Sequence, residues 1–304
     1  MKIGTSLRTA YALTEVRQGA RWVIERARAA RDAGLDSLFV GDHHNVPVPY
    51  YQNVPMLGRL LAEWDDRPAG ALFLLPLWHP VLVAEQIGTL ASIASGPFVM
   101  QCALGGGREQ FGAFGSTTKD RVARFEAGVD IVRRLCAGEA VTAEHPYRIE
   151  NARIAPVPPE PLTVWIGGSV PAAIDRAARL GDAFLAGPEA TPAEARQLID
   201  TYREACARHG RTPGTIAVRR DIHVGADDAD ADRVAGPVLA RGYRGFDPAA
   251  PVTGGIARVA AAFADLGEMG YTDVIVRHLA EDQTEVLRSF ERLADVRAQL
   301  QPAR

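Results

Sequence analysis

The chain has 304 residues, 47% hydrophobic and 23% charged, with a formal net charge of −3. That length buries a large core without disulfides or structural metal, and the near-neutral balance excludes the strong basic field that nucleic acid or an anionic membrane would require. The three cysteines, Cys102, Cys136 and Cys206, follow no zinc or redox spacing, and their odd number argues against a disulfide framework.

Apolar, β-rich runs fall at 3–7, 37–41, 70–75, 98–104, 163–167, 182–186, 216–224 and 273–277. Helical patterns fill the gaps. The stretch 80–95 opens with Pro80, suited to a first turn, and sets Val83, Ile87, Leu90 and Ala94 on one face. The stretch 119–137 does the same with Val122, Phe125, Val129, Val132 and Leu135. The last helix carries Val286, Phe290, Leu293 and Leu300, with Arg297 off the pattern. Short continuous apolar strands alternating with period-3.6 stripes predict a parallel sheet with helices outside. Eight such units in one chain predict an α/β fold, a single (β/α)₈ TIM barrel occupying residues 1–304 as one domain.

Two stretches break the rhythm. Residues 42–58 form a Pro- and aromatic-rich loop after the second strand, and residues 138–162 form a Pro-rich excursion before the fifth. Long loops in compact folds are usually lids or binding segments. The acidic run 225–232 lacks the spaced ligands of a calcium loop and reads as a helix N-terminus. No apolar run reaches about 18 residues. The start, Met1-Lys2-Ile3-Gly4-Thr5, lacks the apolar core of a signal peptide, so a cytoplasmic protein is expected, away from membrane and nucleic acid.

Barrel enzymes work at the C-terminal ends of their strands. There the sequence places Asp42, His43 and His44, then Trp78 and His79, then Gly105-Gly106-Gly107-Arg108-Glu109. Gly167-Gly168-Ser169, Gly187, His223 and Arg277 follow. Gly167-Gly168-Ser169 lets backbone approach a ligand just before a helix N-terminus, which suits an anion or serves as an ordinary turn. Arg277 either grips the same anion bidentately or makes a rim ion pair. Gly105, Gly106 and Gly107 clear room for a flat ring. Of His43 and His44, one faces the pocket and the other packs or meets solvent.

The run from Gly34 to His43 resembles the second-strand signature of luciferase-like flavin and deazaflavin oxidoreductases. Leu74 to Gln86 is similar to the third-strand region of that family, and Gly105 to Glu109 with Phe111 and Phe114-Gly115 to its fourth-strand loop. Trp165 to Ser169, with Arg176 to Asp182, is the most specific match. Ser95-Gly96-Pro97-Phe98 departs from the family's usual Ser-Gly-Gly-Arg.

The resemblance implies a reduced coenzyme F420 or FMN in the barrel mouth. It implies that Gly167, Gly168, Ser169 and Gly187 surround the cofactor phosphate, and that Gly105–Gly107 and Arg108 border the ring. His43 would lie near the reactive ring carbon with Asp42 supporting it, and Glu109 would be a second proton donor. A non-proline cis peptide would fall at Leu72–Phe73. His44, Tyr50, Trp78 and Phe111 would wall the pocket of a small-molecule substrate. A homodimer is implied, with a flavin or F420 reductase supplying reduced cofactor. The expected chemistry is hydride transfer with F420. The alternatives are reduced FMN with O₂, a metal-dependent hydrolase using His43, His223 and His278, and a non-catalytic flavin-binding barrel.

Overall fold

A computed structural model describes residues 1–12 and 14–300. β1 (Lys2–Leu7) leads to α1 (Val16–Asp32), β2 (Ser37–Val40) and α2 (Asn53–Leu60). β3 (Ala69–Leu74), α3 (Pro80–Ile93), β4 (Phe98–Ala103), α4 (Arg108–Ala113) and α5 (Arg121–Cys136) follow. β5 (Val141–Ala143) and β6 (Ile149–Ala152) pair antiparallel as a separate ribbon within the Pro-rich excursion. Next come β7 (Thr163–Gly167), α6 (Pro171–Leu180), β8 (Ala183–Ala186), α7 (Pro192–Arg208) and β9 (Thr215–Val224). The chain finishes with α8 (Asp228–Ala240), β10 (Val252–Gly254), α9 (Ile256–Met269), β11 (Asp273–His278) and α10 (Gln283–Leu300).

Eight parallel strands close into a barrel in the order β1-β2-β3-β4-β7-β8-β9-β11, with β11 returning to β1. The short β10 extends β9 beyond the barrel, through Val252↔Ile222 and Gly254↔Val224.

Alternation along each strand makes two cores. Outward residues such as Leu38, Phe73, Met100 and Ile166 pack on Val83, Phe125, Phe263 and Phe290 of the surrounding helices. Inward residues Phe39, Val99, Trp165, Ala183, Ala217 and Ile275 form a smaller plug inside the barrel. The helix starts follow local chemistry. Thr191 and Glu194 form a capping box at α7, with Pro192 in the first turn. The acidic run starts α8, where the Asp227 carboxylate accepts from Asp230 N at 2.8 Å.

The long loop after β2 is shorter than the sequence suggested. It stops at Gln52, because Asn53, Met56, Leu57 and Leu60 form the buried face of α2. The loop is tied to the segment after β1 by Tyr11 N–Pro49 O at 3.2 Å and Tyr51 N–Thr9 O at 2.9 Å. Its path over the mouth is therefore fixed from two strands.

Candidate active site

A cavity of about 390 Å³ opens at the C-terminal ends of β1, β2, β3, β9 and β11. His43, Tyr50 and Leu72 line one side, and Arg219, Arg244 and Arg277 the other. His43 is exposed at the mouth, edge-on to the Tyr50 ring at 6.0 Å. Partial desolvation of this largely exposed ring by the cavity wall lowers the His43 pKa against the opposing pull of Asp42. The imidazole therefore favours its neutral, proton-accepting form. Burial likewise raises the Tyr50 hydroxyl, which stays protonated at neutral pH.

Asp42 lies against His44 as well as acting on His43. Its buried carboxylate accepts from Leu74 N at 2.7 Å and from Trp78 Nε1 at 2.8 Å through Oδ2, while Oδ1 lies 3.0 Å from His44 Nε2. His44 then packs between Trp78 and Phe114, with ring centroids 5.8 Å and 4.9 Å away. The pair of histidines thus divides: His43 meets the cavity and His44 packs behind it. Gln110, absent from the sequence-based candidates, ties this wall to the glycine loop. Its Oε1 accepts from His44 N at 2.9 Å, and its Nε2 donates to Gly106 O at 3.0 Å.

Four expected residues stand elsewhere. Phe111 is 1% exposed, packed beneath α4 rather than facing the cavity. Arg108 and Glu109 are exposed in the first turn of that helix, and neither lines the cavity. Leu72 points inward to the cavity, but Phe73 points outward into the helical core. The Leu72–Phe73 peptide is not cis; among the described residues the cis bonds are His145–Pro146 and Ala155–Pro156. The reason is continuous pairing, since β3 keeps its register with β4 through Leu72↔Gln101, Phe73↔Cys102 and Leu74↔Ala103.

The opposite wall is arginine-rich. Asp221, fully buried, accepts from Arg219 Nη2 at 3.0 Å on Oδ1, and from Arg244 Nη1 and Tyr243 Oη at 2.8 Å each on Oδ2. Burial alone would raise its pKa, yet Arg219, Arg277 and Arg244 together hold it below the usual carboxylate range. Arg277 lies beside Asp221 in register. Burial, reinforced by the charge of Arg219, lowers Arg277 to about 10, so it stays a cation.

Sequence reasoning missed Arg219, Asp221, Tyr243 and Arg244. The signal for the first two was there: Arg219-Arg220-Asp221 interrupts an otherwise apolar strand, and buried charges in a strand need a reason. Tyr243 and Arg244 reach the mouth only through the tertiary path of the segment after α8.

The glycine side of the mouth is separate. Gly167-Gly168-Ser169 ends β7 and Gly187 follows β8, and these two strands are neighbours. The Ser169 hydroxyl donates to the Glu189 carboxylate, which also covers Gly187. A carboxylate therefore sits where the resemblance placed a phosphate, and it must swing aside to admit one. The amide of Gly168 is already used, donating to Leu185 O at 3.2 Å. The expected joint grip of Arg277 and Gly167–Ser169 on one anion is not formed. β8 and β9 stand between β7 and β11, and Arg277 opens into a different cavity.

Several features fit a flat polar ring. The buried Gln101 Nε2 has no hydrogen-bond partner, and a Cβ built on Gly106 or Gly107 meets nothing within 4 Å. A Cβ on Gly167 would meet nothing closer than 3.8 Å. An orphaned donor and open backbone are what a planar heterocycle with carbonyl edges needs.

His223 and His278 do not join His43. His278 is turned outward, its Nε2 2.9 Å from Ser289 Oγ and its ring 4.1 Å from that of Phe290. Among the described residues no set of three His, Cys, Asp or Glu side chains could hold a metal ion. The hydrolase alternative loses its ligand set. No described helix is long and apolar enough to cross a membrane.

Comparison with known proteins follows the same line. Residues 1–299 match the family described as luciferase-like monooxygenase. The chain is 28% identical over 240 residues to the F420-dependent glucose-6-phosphate dehydrogenase of Nakamurella multipartita, covering 75% of this chain and 70% of that one. It is also 28% identical over 222 residues to the protein of the same name from Intrasporangium calvum, covering 69% and 66%. Among solved structures, the monooxygenase RslO1 of Streptomyces bottropensis superposes with a TM-score of 0.83 at 21% identity, over 97% of this chain and 98% of that one. An F420-dependent secondary alcohol dehydrogenase gives 0.83 at 16% identity, over 99% of both chains. At such identities the superpositions establish the barrel.

Proposed function

The chain belongs to the luciferase-like monooxygenase family, and from that premise we propose that it is an oxidoreductase using coenzyme F420 for hydride transfer to or from a small organic substrate. At the coarser level it is an F420- or flavin-dependent oxidoreductase. The observation that carries the choice of F420 is the similarity to relatives named as F420-dependent along about 70% of their length. The geometry of the mouth supports it. A ring would lie on Gly105–Gly107 and above Gln101, with its anionic tail toward Ser169 and Gly187 once Glu189 moves. Its reactive edge would then face the cavity that His43 and Leu72 line.

When bound, the cofactor supplies the site that gives or takes the hydride. The protein handles the proton. On oxidation of a hydroxyl, the neutral imidazole of His43 takes the O–H proton as the C–H hydride leaves; on reduction it returns that proton to oxygen. The depressed pKa of His43 suits it to the first task at neutral pH. Tyr50 holds the substrate oxygen from the side, and Asp42, through Trp78 and His44, fixes the wall behind. Glu109, exposed on α4, is left as a rim residue. A homodimer, and a reductase that returns the cofactor to its reduced form, complete the proposal.

A fluorescence titration of the cofactor-free protein with F420 and, separately, with FMN tests the reading. Tight F420 binding with weak FMN binding is expected. The reverse would move the chain to oxygen chemistry with reduced FMN. His43→Ala should cut turnover by about 10²- to 10⁴-fold with F420 affinity nearly unchanged; full turnover would remove His43 from the mechanism.

A further inference from the structure

Three guanidinium groups enter one cavity with little to balance them. Of the two carboxylates nearby, Asp42 stands on the opposite wall, where its Oδ2 accepts from Leu74 N and Trp78 Nε1 and its Oδ1 lies 3.0 Å from His44 Nε2. Asp221 is shared by Arg219 and Arg244 and takes a further hydrogen bond from Tyr243. Among the described residues Arg277 has no ion-pair partner, and its buried Nε has no hydrogen-bond partner. A buried guanidinium N–H left without an acceptor is costly unless a ligand supplies one.

The arrangement is held in place rather than loose. Asp221 takes Arg219 on one oxygen and Arg244 on the other, which fans the two forks apart around the cavity. Arg244 adopts φ +53°, a left-handed conformation that costs a non-glycine residue on the order of 1 kcal/mol. Gly242 and Gly245 on either side, at φ +77° and +69°, let the segment turn there. The chain thus accepts strain to present this guanidinium. It also stacks on Phe246, 4.6 Å from the ring centroid.

We propose that the substrate carries an oxyanion, a carboxylate or a phosphate, which docks among Arg219, Arg244 and Arg277 while its reacting carbon faces His43. Planar forks suit either oxyanion, because each presents two oxygens to parallel N–H groups. Asp221 is a positioning residue that aims two of the three forks. The assignment rests on reading this cavity as the substrate's half of the mouth. Two strands, β8 and β9, separate Arg277 from the Gly167–Ser169 turn assigned to the cofactor's tail, and one, β8, separates Arg219 from it. An uncharged substrate would leave the buried Nε of Arg277 without a hydrogen-bond partner.

The test uses the cofactor-free protein, so that it stands apart from the cofactor assignment. Calorimetric titrations with inorganic phosphate and with succinate, at fixed ionic strength, are run on the wild type, Arg277→Met and Arg244→Gln. One oxyanion is expected to bind the wild type. Arg277→Met should weaken it tenfold or more and Arg244→Gln severalfold, with unliganded melting temperatures retained. Which oxyanion binds identifies the substrate's anionic group. If Arg277→Met fails to fold, Arg277→Lys, which keeps the charge but loses the fork, carries the same comparison. Binding of neither anion, or binding equal in wild type and variants, would overturn the proposal. So would a parallel F420 titration in which the arginine variants lose cofactor affinity by the same factor. If F420 does not bind at all while the oxyanion binds and the variants weaken it, the anion site stands and only the cofactor reading falls.

Discussion

On one side of the barrel mouth, β4, β7 and β8 end in Gly105–Gly107, Gly167-Gly168 and Gly187, so the surface is largely backbone. On the other, β9 and β11 carry Arg219, Asp221 and Arg277, so the surface is charge. The first side, in the proposed reading, would discriminate by shape and by single donors such as Gln101 Nε2, which has no hydrogen-bond partner. The second, in the proposed reading, would discriminate by charge. An enzyme that must hold a planar cofactor and a separate substrate at once gains from such a division, because each half can be exacting without competing for the other's ligand.

The largest expected effect lies on the charged side. Asp221→Ala removes a buried carboxylate facing three arginines, and it should destabilise the fold by about 3–5 kcal/mol in denaturant unfolding. A change below about 0.5 kcal/mol would mean that the arginine wall does not depend on Asp221.

The glycine side should divide internally. A Cβ on Gly168 would lie 2.4 Å from Ala173 Cβ, where β7 meets α6, so Gly168→Ala should cost about 1–3 kcal/mol. A Cβ on Gly106 meets nothing, so Gly106→Ala should stay within about 0.5 kcal/mol. Equal effects at the two positions would erase the distinction between a packing glycine and an open one.

The smallest effect concerns the outer face of the charged side. Burial holds His278 well below the ordinary histidine pKa, so below pH 6.5 the unfolded chain binds the proton first. Stability contributed by its neutral form is full above that range and is lost progressively as pH falls below it. His278→Gln, which can still meet the Ser289 hydroxyl, should flatten that part of the stability profile. An unchanged profile would show that His278 is not the titrating group.

The barrel was legible because burial on both faces makes each strand a continuous apolar run; the stretch 163–167 reads directly as β7. The ribbon of β5 and β6 was not, since its short exposed strands lack that signature, and α2 was hidden by the prolines around it. At the site, His43 and the glycine turns could be read from their places at strand ends. The pairing of Asp42 with His44, the burial of Phe111 and the convergence of Arg244 on Asp221 depend on how separate loops cross the mouth. A one-residue alternation gives direction only inside a strand, and none of those loops has one.

The division of the mouth is tested most directly by F420 affinity, read by fluorescence, in the wild type, Gly167→Asp and Arg277→Met. An added Cβ on Gly167 meets no atom nearer than 3.8 Å, so the aspartate adds charge beside the assigned cofactor tail, and the unliganded melting temperature is measured alongside to check that the fold is retained. The account predicts a tenfold or greater loss of F420 affinity in Gly167→Asp and a change within about twofold in Arg277→Met. Loss of cofactor affinity in the arginine variant, with Gly167→Asp unaffected, would contradict it.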